Sequence, residues 1–374
     1  MKDRPLKIVH LSGMMNRGGG ENHILNLTEG LLQLDQNSTV FCPQNSQLAL
    51  ELKEKGLPSK STKLNFKADP TFFLIFGRYC RKNKVDIVHV HDPVAMFLIL
   101  LSSYFFRLPA AVLSKKTSFP IKKRKRTIYK YNHPIFKRVI CVSKEVARVT
   151  KLSIQPASKI TTIYNGSNLS QLAALEPEFD IKSRLNLEKD TKLIVHIANH
   201  TKPKDLPTLI KVVEKLKNRT DIHFVQIGRH TERGMPFLQE VKDLGLDNRI
   251  SFLGELQHAS VYLKQADISL ITSKSEGLPQ VVYESMFYKV PIVSTVAGGI
   301  PEVIENNESG FLADIGDADA LVNHIKRILD KDIELEKMLS NNYDLVKSKY
   351  DSKIMAKKTL ELYKEVLQTQ DQKK

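Results

Sequence analysis

The sequence predicts an α/β protein with two doubly wound parallel-sheet domains that face each other across a cleft. Short apolar strands alternate with amphipathic helical segments on both sides of residues 168–188, a stretch without apolar periodicity. At 374 residues the chain is too long for one typical core, which favours two domains. Alternating strands and helices are typical of parallel sheets, so each half is expected to contain one parallel sheet.

Domain boundaries follow from this pattern. We place the first domain at residues 1–170, a linker at 171–188 and the second domain at 189–350, and we expect the helical stretch 351–374 to pack back on the first domain. The expected strands of the first domain are 6–12, 39–41, 85–90, 110–114, 139–143 and 160–164. Those of the second domain are 193–198, 222–228, 250–253, 268–272 and 291–295.

A glycine-rich loop, residues 13–20, follows the first strand and precedes a helix at about 21–34. Such a loop can bring backbone against a phosphate or a sugar, because ligands of open α/β sheets bind beyond the carboxyl ends of the strands. The loop matches neither GxGxxG nor a phosphate-binding GxxxxGK loop, and a plain tight turn is an equal alternative.

Two histidines, His89 and His91, close the strand at 85–90 and lie on the same face of it. A metal site is one reading, but no third ligand has convincing spacing. Hydrogen-bonded structural histidines are another reading. We favour a single functional histidine facing the cleft, His91.

Residues 273–302 carry the strongest signal of a ligand site. A strand at 268–272 enters a polar loop, and Pro279 suits the first turn of a helix expected at about 280–288. A helix N-terminus favours phosphate. Glu276 and Glu284 lie beside that terminus, where a carboxylate is suited to accepting hydrogen bonds from sugar hydroxyls.

The positive charge is confined to one half of the chain. Residues 1–170 hold 28 Lys and Arg against 10 Asp and Glu, whereas residues 171–374 hold 29 against 31. This asymmetry indicates an acidic partner, such as an anionic membrane, a phosphorylated substrate or nucleic acid. The run Lys122, Lys123, Arg124, Lys125 and Arg126, with aromatic residues after it, favours a membrane surface. RNA binding and a merely solvated face are the alternatives.

Location is predicted from three features. The three cysteines lie far apart, which indicates reduced thiols and a cytoplasmic protein without a disulfide framework. The N-terminus is expected to be a first strand and not a signal peptide. The apolar run at 94–106 is too short to span the ~30 Å hydrocarbon core as a helix, so we expect a buried helix or one touching lipid.

Together these segments resemble the retaining, nucleotide-sugar-dependent glycosyltransferases of family 4, which have the GT-B fold. The strongest motif is EGLPQVVYESM, which spaces Glu276 and Glu284 as in the family, followed by PIVSTVAGGIPEVIENNESGFL at 291–312. Weaker matches support it in the same order: Gly19-Gly20-Glu21, His91, Ser143, Asn165-Gly166 and Lys204.

The resemblance implies a role for each matched residue. Glu284 would hold the ribose of the donor, Glu276 the transferred sugar, and Lys204 the diphosphate. Donor contacts from the loops are expected at Gly19, Gly20, Asn199, Gly277 and Leu278. His91 is expected on the acceptor side of the reaction centre, and His91, Glu276 and Lys204 are the expected catalytic residues. Acceptor or membrane contacts are expected at Glu21 and Lys122–Arg126. The family acts without a bound metal, so no cofactor is expected beyond the nucleotide-sugar co-substrate.

The chain departs from the family pattern at three places. Asn199 replaces an arginine, so either Lys202 supplies that charge or the site is less cationic than is usual in the family. The family's GxG turn reads Ile-Gly-Arg-His around Gly228, and Ser285 and Phe287 replace two alanines. We interpret these differences as subfamily variation, because both glutamates, the lysine and the glycines are present.

The sequence therefore predicts transfer of a hexosyl or N-acetylhexosaminyl group from a nucleotide-diphosphate sugar, with UDP-sugar preferred. The expected acceptor is a sugar hydroxyl of a lipid-linked or cell-surface glycan, as in polysaccharide or lipopolysaccharide biosynthesis. The enzyme is expected to be cytoplasmic and peripheral on the inner membrane face, without nucleic acid. Alternatives are a nucleotide-sugar epimerase, a glycoside hydrolase using the two glutamates, and a non-enzymatic basic protein that binds membrane or RNA.

Overall fold

The structure, a computed structural model, describes residues 4–15, 19–331 and 334–371. It divides the chain into two compact units, residues 1–167 with 351–374 and residues 168–350. The stretch 171–188, expected to be a linker, lies inside the second unit and contains one short helix, Ile181–Arg184, and most of another, Leu169–Ala174. Their few apolar positions, Leu169, Leu172 and Ile181, are buried although they show no long periodicity.

The first unit is built on a parallel sheet of seven strands, in the order β3-β2-β1-β4-β5-β6-β7. Its strands are β1 Lys7–Leu11, β2 Asn37–Pro43, β3 Ser59–Thr62, β4 Ile87–Val90, β5 Ala110–Lys115, β6 Phe136–Cys141 and β7 Ile160–Thr162. Its connecting helices are α1 Gly19–Gln33, α2 Gln47–Glu54, α3 Pro70–Asn83, α4 Pro93–Phe105, α5 Lys125–Asn132 and α6 Lys144–Lys151. The order reverses between β1 and β4, which is where open sheets of this kind bind ligands.

Asp92 joins the two strand ends at this reversal. Its Oδ2 accepts hydrogen bonds from Ser12 Oγ at 2.9 Å and from the Gly13 amide at 2.8 Å. Its Oδ1 caps α4 by accepting from the amides of Val94 and Ala95. The loop after β1 and the start of α4 are therefore held by one carboxylate.

The second unit is built on a parallel sheet of six strands, in the order β10-β9-β8-β11-β12-β13. Its strands are β8 Lys192–Ile197, β9 Ile222–Ile227, β10 Ile250–Phe252, β11 Ile268–Ile271, β12 Ile292–Thr295 and β13 Phe311–Ala313. Its helices are α7 Leu169–Ala174, α8 Ile181–Arg184, α9 Leu206–Lys215, α10 Met235–Asp243, α11 Gln280–Phe287, α12 Ala318–Leu329 and α13 Glu336–Lys349. The order reverses between β8 and β11.

The last helix, α14 Ser352–Asp371, returns to the first unit and packs against α1. Tyr363, Leu362 and Met355 are buried with Leu27 and Leu31 of α1 in one apolar cluster. The contact is close, since a Cβ at Gly30 would lie 2.6 Å from Ala356 Cβ. The first sheet is thus covered on one face by the end of the chain.

Two strands were not expected from the sequence, and both are edge strands. β3 reads Ser-Lys-Ser-Thr and leaves two residues exposed, so it lacks an apolar signal. β13 has only three residues, Phe311–Ala313, which is too short for periodicity to show. The apolar run at 94–106 forms the largely buried helix α4, and no helix of the described residues is both long and apolar enough to cross a membrane.

Candidate active site

Two loops at the carboxyl edge of the second sheet bring Lys204 and Glu276 together. Lys204 closes a short 3₁₀ turn after β8, and Glu276 lies in the loop between β11 and α11. Lys204 Nζ lies 2.6 Å from Glu276 Oε1, which also accepts a hydrogen bond from Ser273 Oγ at 2.7 Å. Both contacts use Oε1, which leaves Oε2 for a ligand. Residues 72 positions apart, predicted separately, therefore form one site.

Backbone contacts hold the two loops in register. The Lys274 amide donates to Pro203 O at 2.7 Å, and Thr272 Oγ1 donates to Lys204 O at 3.0 Å. A second ion pair joins Lys274 Nζ to Asp205 Oδ1 at 2.6 Å. Asp205 is buried, so its negative charge needs Lys274 as a partner. Lys204 therefore pairs with Glu276 and not with Asp205. Lys274 and Ser273 are site residues that the sequence reasoning missed.

The glycine-rich turn after β12 packs on the Glu276 loop. Gly298 has φ of +59°, and a Cβ at this position would overlap the carbonyl oxygen of Glu276. Next to it, the Gly299 amide donates to Gly277 O at 3.0 Å. Position 298 therefore needs glycine for its backbone conformation and for the close approach. The turn sets the height of the Glu276 backbone above the sheet edge.

Glu284 lies in the second turn of α11, in a different environment from Glu276. Burial raises the pKa of its carboxyl to about 7, and a hydrogen bond with Ser260 opposes that rise. No ion pair involves Glu284 in the part of the chain that the structure describes. Just before α11, Leu278 is buried and Pro279 is the N-cap residue. The helix therefore begins at Gln280, where the sequence predicts.

The structure shows the local setting of three of the departures from the family pattern: Asn199, the turn at Gly228 and Ser285. Asn199 Oδ1 accepts a hydrogen bond from the Arg229 amide at 2.9 Å, so Asn199 ties the end of β8 to the end of β9. Gly228 lies beside the carbonyl of Ala198, with no room for a Cβ. Ser285 fits a buried position because its hydroxyl contacts Ser269 Oγ at 2.8 Å. Lys202 is exposed.

In the first unit, four histidines cluster at the reversal of strand order. His10 of β1, His89 of β4 and His91 just after β4 are buried, and His23 of α1 joins them. His91 lies 4.1 Å from His89, 5.1 Å from His10 and 5.7 Å from His23 between ring centroids. The sequence identified His91 and His89 but not His10 or His23, because these arrive from β1 and α1.

Hydrogen bonds occupy most nitrogens of this cluster. His10 Nδ1 lies 2.9 Å from His91 Nε2, and His10 Nε2 lies 3.1 Å from Ser38 Oγ. His89 contacts Tyr363 OH at 2.6 Å and Ser114 Oγ at 2.7 Å.

Ring nitrogens of His10, His89 and His91 lie within 4.8 Å of one another, a spacing open to a metal ion. Both nitrogens of His10 and of His89 already have partners, however, so these donor sets fit a hydrogen-bond network better. Burial lowers the pKa of every histidine of the cluster, that of His10 to about 3, so the four rings are neutral at pH 7.

Of the predicted glycine loop at 13–20, residues 16–18 lie outside the described residues, and its last two glycines begin α1 beside a buried acid. Lys116 Nζ donates to Gly20 O at 3.0 Å. Burial lowers the pKa of Lys116 to about 8, while the charges of Glu21 and Asp92 oppose the shift. Glu21 is therefore buried beside a cation at the strand ends, and Gly19 and Gly20 are the first residues of the helix.

The basic run is exposed and borders an apolar groove. Lys122, Lys123 and Arg124 precede α5, and Lys125 and Arg126 begin it. The groove between α4 and α5 has a volume of about 430 Å³ and is lined by Phe97, Leu100, Leu101, Tyr104, Lys125, Arg126, Tyr129 and Lys130. Its rim is aromatic as well as basic, since Tyr104 is 71% and Tyr129 is 56% exposed.

Family models match both halves of the chain. Residues 17–171 match the family described as Glycosyltransferase Family 4, and residues 178–344 match Glycosyl transferases group 1. With two Rossmann-like parallel sheets and these matches, the chain belongs to the two-domain, GT-B glycosyltransferases of family 4.

Three relatives of the chain are two glycosyltransferases and a synthase. The chain is 28% identical to N-acetyl-alpha-D-glucosaminyl L-malate synthase of Bacillus anthracis, over 53% of this chain and 51% of that protein. It is 24% identical to the capsular polysaccharide biosynthesis glycosyltransferase CapH of Staphylococcus aureus, over 78% and 81%. It is 23% identical, over 87% and 88%, to UDP-Gal:alpha-D-GlcNAc-diphosphoundecaprenol alpha-1,3-galactosyltransferase of Escherichia coli.

Solved structures share the fold over nearly the whole chain. A glycosyltransferase from Rickettsia africae superposes with a TM-score of 0.83 at 22% identity, covering 98% of this chain and 99% of that one. Anabaena Alr3699/HepE, solved in complex with UDP-glucose, gives a TM-score of 0.83 at 18% identity, covering 96% and 100%. These similarities confirm the GT-B fold that the sequence predicted.

Proposed function

We propose that this glycosyltransferase moves a hexosyl or N-acetylhexosaminyl group from a UDP-sugar to a hydroxyl of a lipid-linked or cell-surface glycan, with retention of configuration. The observation that carries the proposal is the pairing of Lys204 with Glu276 at 2.6 Å on two loops at one sheet edge. It joins a cation suited to a diphosphate and a carboxylate suited to sugar hydroxyls. Relatives named for capsular polysaccharide and diphosphoundecaprenol glycans support the acceptor class.

The chemistry asked of the protein is electrostatic. The acceptor oxygen bonds to the anomeric carbon as the bond from that carbon to the diphosphate breaks, and the hydroxyl proton leaves with the nucleotide. Lys204 would stabilise the charge that develops on the diphosphate, which needs no metal ion. Glu276 Oε2 would orient the transferred sugar, and Glu284 would accept hydrogen bonds from the ribose. A UDP-glucose complex of a protein with this fold supports the choice of UDP-sugar.

The first prediction concerns the Lys204–Glu276 pair. Lys204→Ala and Glu276→Gln are each expected to lower kcat by about 10²–10³, the usual cost of losing one group that stabilises a developing charge. The free energy of unfolding should fall by less than about 2 kcal/mol, since the pair is partly solvated. The assay follows radiolabelled sugar from UDP-glucose, UDP-galactose or UDP-N-acetylglucosamine into a lipid-linked oligosaccharide fraction.

Lys192→Ala is the matched control. It removes the ion pair between Lys192 and Asp267, 3.0 Å apart, at the amino ends of the same two strands. If Lys204→Ala transferred sugar at the wild-type rate, the assignment of Lys204 and Glu276 as the active site would be refuted. Conversion of the nucleotide sugar without any acceptor would instead favour the epimerase alternative.

We further propose that the first unit binds an anionic membrane surface, where a lipid-linked acceptor would be held. The exposed run Lys122–Arg126 lies beside the apolar groove between α4 and α5. Lys130 Nζ lies 4.5 Å from the ring centre of Phe97, so cationic and apolar groups share the groove wall. Lipid phosphates beside acyl or prenyl chains match that combination. The enzyme would then act as a peripheral protein on the cytoplasmic membrane face.

A further inference from the structure

Two ring nitrogens in the first unit lack a hydrogen-bond partner among the described residues: His23 Nε2 and His91 Nδ1. Their side chains are only 3% and 5% exposed, and their ring centres are 5.7 Å apart. A buried polar atom without a partner costs folding free energy, so such atoms usually have a ligand or a water molecule as a partner. Two of them in neighbouring rings indicate a place for one small polar group.

Asn165 determines which hydrogen-bonding role His23 offers. Asn165 Oδ1 lies 2.8 Å from His23 Nδ1 and can only accept, so Nδ1 carries the proton and Nε2 presents a lone pair. Asn165 itself is firmly placed. Asn26 Nδ2 donates to Gly166 O at 3.1 Å, and a Cβ at Gly166 would lie 2.6 Å from Ser352 Cα. Helices α1 and α14 thus fix the turn that orients His23.

The hydrogen bonds of His91 are compatible with the opposite role. Its Nε2 lies 2.9 Å from His10 Nδ1, and His10 Nε2 lies 3.1 Å from Ser38 Oγ. If the serine hydroxyl donates to His10 and His10 donates to His91, then His91 carries its proton on Nδ1. The depressed pKa values of these buried rings keep each of them neutral, with one donor and one acceptor nitrogen.

We propose that His23 and His91 together bind one hydroxyl of the acceptor sugar, which donates to His23 Nε2 and accepts from His91 Nδ1. An alcohol has a single proton to give and lone pairs to accept with, so it matches one acceptor nitrogen beside one donor nitrogen. Hydrogen bonds then run in one direction, from Ser38 through His10, His91, the hydroxyl and His23 to Asn165. This inference rests on the proposed function, whose acceptor side it defines.

The roles within this chain of hydrogen bonds differ. His23 and His91 touch the substrate, and His23 is a binding residue that the sequence motifs do not mark. His10 and Asn165 act through them and are positioning residues, because each sets the tautomer of one imidazole. Glycine at 166 is needed for the same purpose, since Ser352 occupies the space beside it.

The test begins with the resting protein and needs no substrate. Long-range ¹⁵N–¹H NMR of the full chain at pH 7 is expected to show His10, His23 and His91 each protonated on Nδ1. Asn165→Leu should give a mixed His23 tautomer, and Asn165→Asp, which keeps the acceptor oxygen, should restore the Nδ1–H form. A proton on Nε2 of His23 or His91 in the wild type would overturn the proposal.

Substrate contact is tested with methyl glycosides of glucose, galactose and N-acetylglucosamine. At least one should shift the His23 Nε2 resonance, and His23→Leu should raise its dissociation constant about tenfold, as for one lost hydrogen bond. His23→Gln, whose amide oxygen can replace Nε2, should recover most of the affinity. Thr28→Val is the control, because Thr28 Oγ1 is another buried atom of α1 without a hydrogen-bond partner in the described part of the chain. No shift with any glycoside would count against the proposal.

Thermal stabilisation by UDP-glucose, UDP-galactose and UDP-N-acetylglucosamine separates this inference from the proposed function. The His23 variants should keep the stabilisation seen for the wild type, since Lys204, Glu276 and Glu284, the residues proposed to hold the donor, belong to the other unit. If no UDP-sugar stabilised the wild type, the proposed function would be contradicted. The NMR results would then still test the hydroxyl site, because they do not depend on donor binding.

Discussion

Glu276 and Glu284 lie eight residues apart, yet their surroundings give them different chemistry. Glu276 is paired with Lys204 and hydrogen-bonded by Ser273, so its charge is balanced. Among the described residues no cation pairs with Glu284, and burial raises the pKa of its carboxyl to about 7. A ribose with two hydroxyl donors would supply the missing partners. The carboxylate best suited to bind a diol is thus the one that is costly to ionise without it.

Glu284 leads to a prediction on pH dependence. Its pKa is raised from an ordinary value of 4.5 to about 7, so the folded state binds more protons than the unfolded state between these values. The free energy of unfolding should therefore fall as pH rises from about 4.5 to about 7, by up to about 3 kcal/mol. In Glu284→Gln this contribution should disappear, which makes the variant more stable than the wild type at pH 8.

Urea unfolding of wild type and Glu284→Gln at pH 5 and pH 8 measures the effect. Subtracting the two proteins cancels the titration of the buried histidines, which both retain. Equal differences at the two pH values would show that the Glu284 carboxyl titrates normally. If the ribose binds the ionised carboxylate, added UDP should reduce the difference in unfolding free energy between Glu284→Gln and the wild type at pH 8.

Among elements, the turn between β12 and the following 3₁₀ helix matters most for the donor site. Gly298 faces the Glu276 carbonyl so closely that no side chain fits. Gly298→Ala is expected to cost at least about 2 kcal/mol of unfolding free energy, from an unfavourable positive φ and from overpacking. It should also weaken UDP binding, because the backbone of Glu276 must move.

Gly316 provides the comparison that isolates the steric part. Its φ is +84°, but nothing lies within 4 Å of the position of its Cβ. Gly316→Ala should therefore cost about 1 kcal/mol through the backbone alone and leave UDP affinity unchanged. If calorimetry gave the two variants the same stability and the same UDP affinity, the close approach at Gly298 would have no role.

At the scale of the whole molecule, the uneven charge predicts how the enzyme meets lipid. Replacing Lys122, Lys123, Arg124, Lys125 and Arg126 by glutamine is expected to weaken binding to phosphatidylglycerol vesicles at least tenfold, since each cation contributes about 1 kcal/mol near an anionic surface. Wild-type binding should also fall with added salt. Co-sedimentation with phosphatidylglycerol and phosphatidylcholine vesicles measures both effects.

In the matched control, glutamine replaces five exposed lysines of the second unit: Lys189, Lys211, Lys217, Lys242 and Lys337. This variant loses the same charge away from the groove and should bind vesicles like the wild type. Equal loss in both variants would mean that net charge alone drives binding. If the wild type bound phosphatidylglycerol and phosphatidylcholine vesicles equally, an anionic membrane surface would be refuted as its partner.

Much of the fold could be predicted because local signals agree with it. Apolar strands, the glycine turns and Pro279 before α11 mark elements whose bounds the structure shifts by only a few residues. The polar edge strand β3 and the short helices α7 and α8 lacked such signals, since only a few residues of each are buried. Periodicity detects long buried faces and misses short ones.

For the candidate site, the sequence alone determined the two-domain glycosyltransferase family and named Glu276, Glu284, Lys204 and His91. These residues lie in motifs whose spacing along the chain is itself the signal.

Only the tertiary structure decided which groups meet. It pairs Lys204 with Glu276, places Lys274 on Asp205, and brings His10 and His23 beside His91 with Asn165 behind them. The reason is physical: a parallel sheet collects the carboxyl ends of strands that are far apart in sequence at one edge. Hydrogen-bond partners, burial and pKa values depend on those distant neighbours, and no local pattern records them.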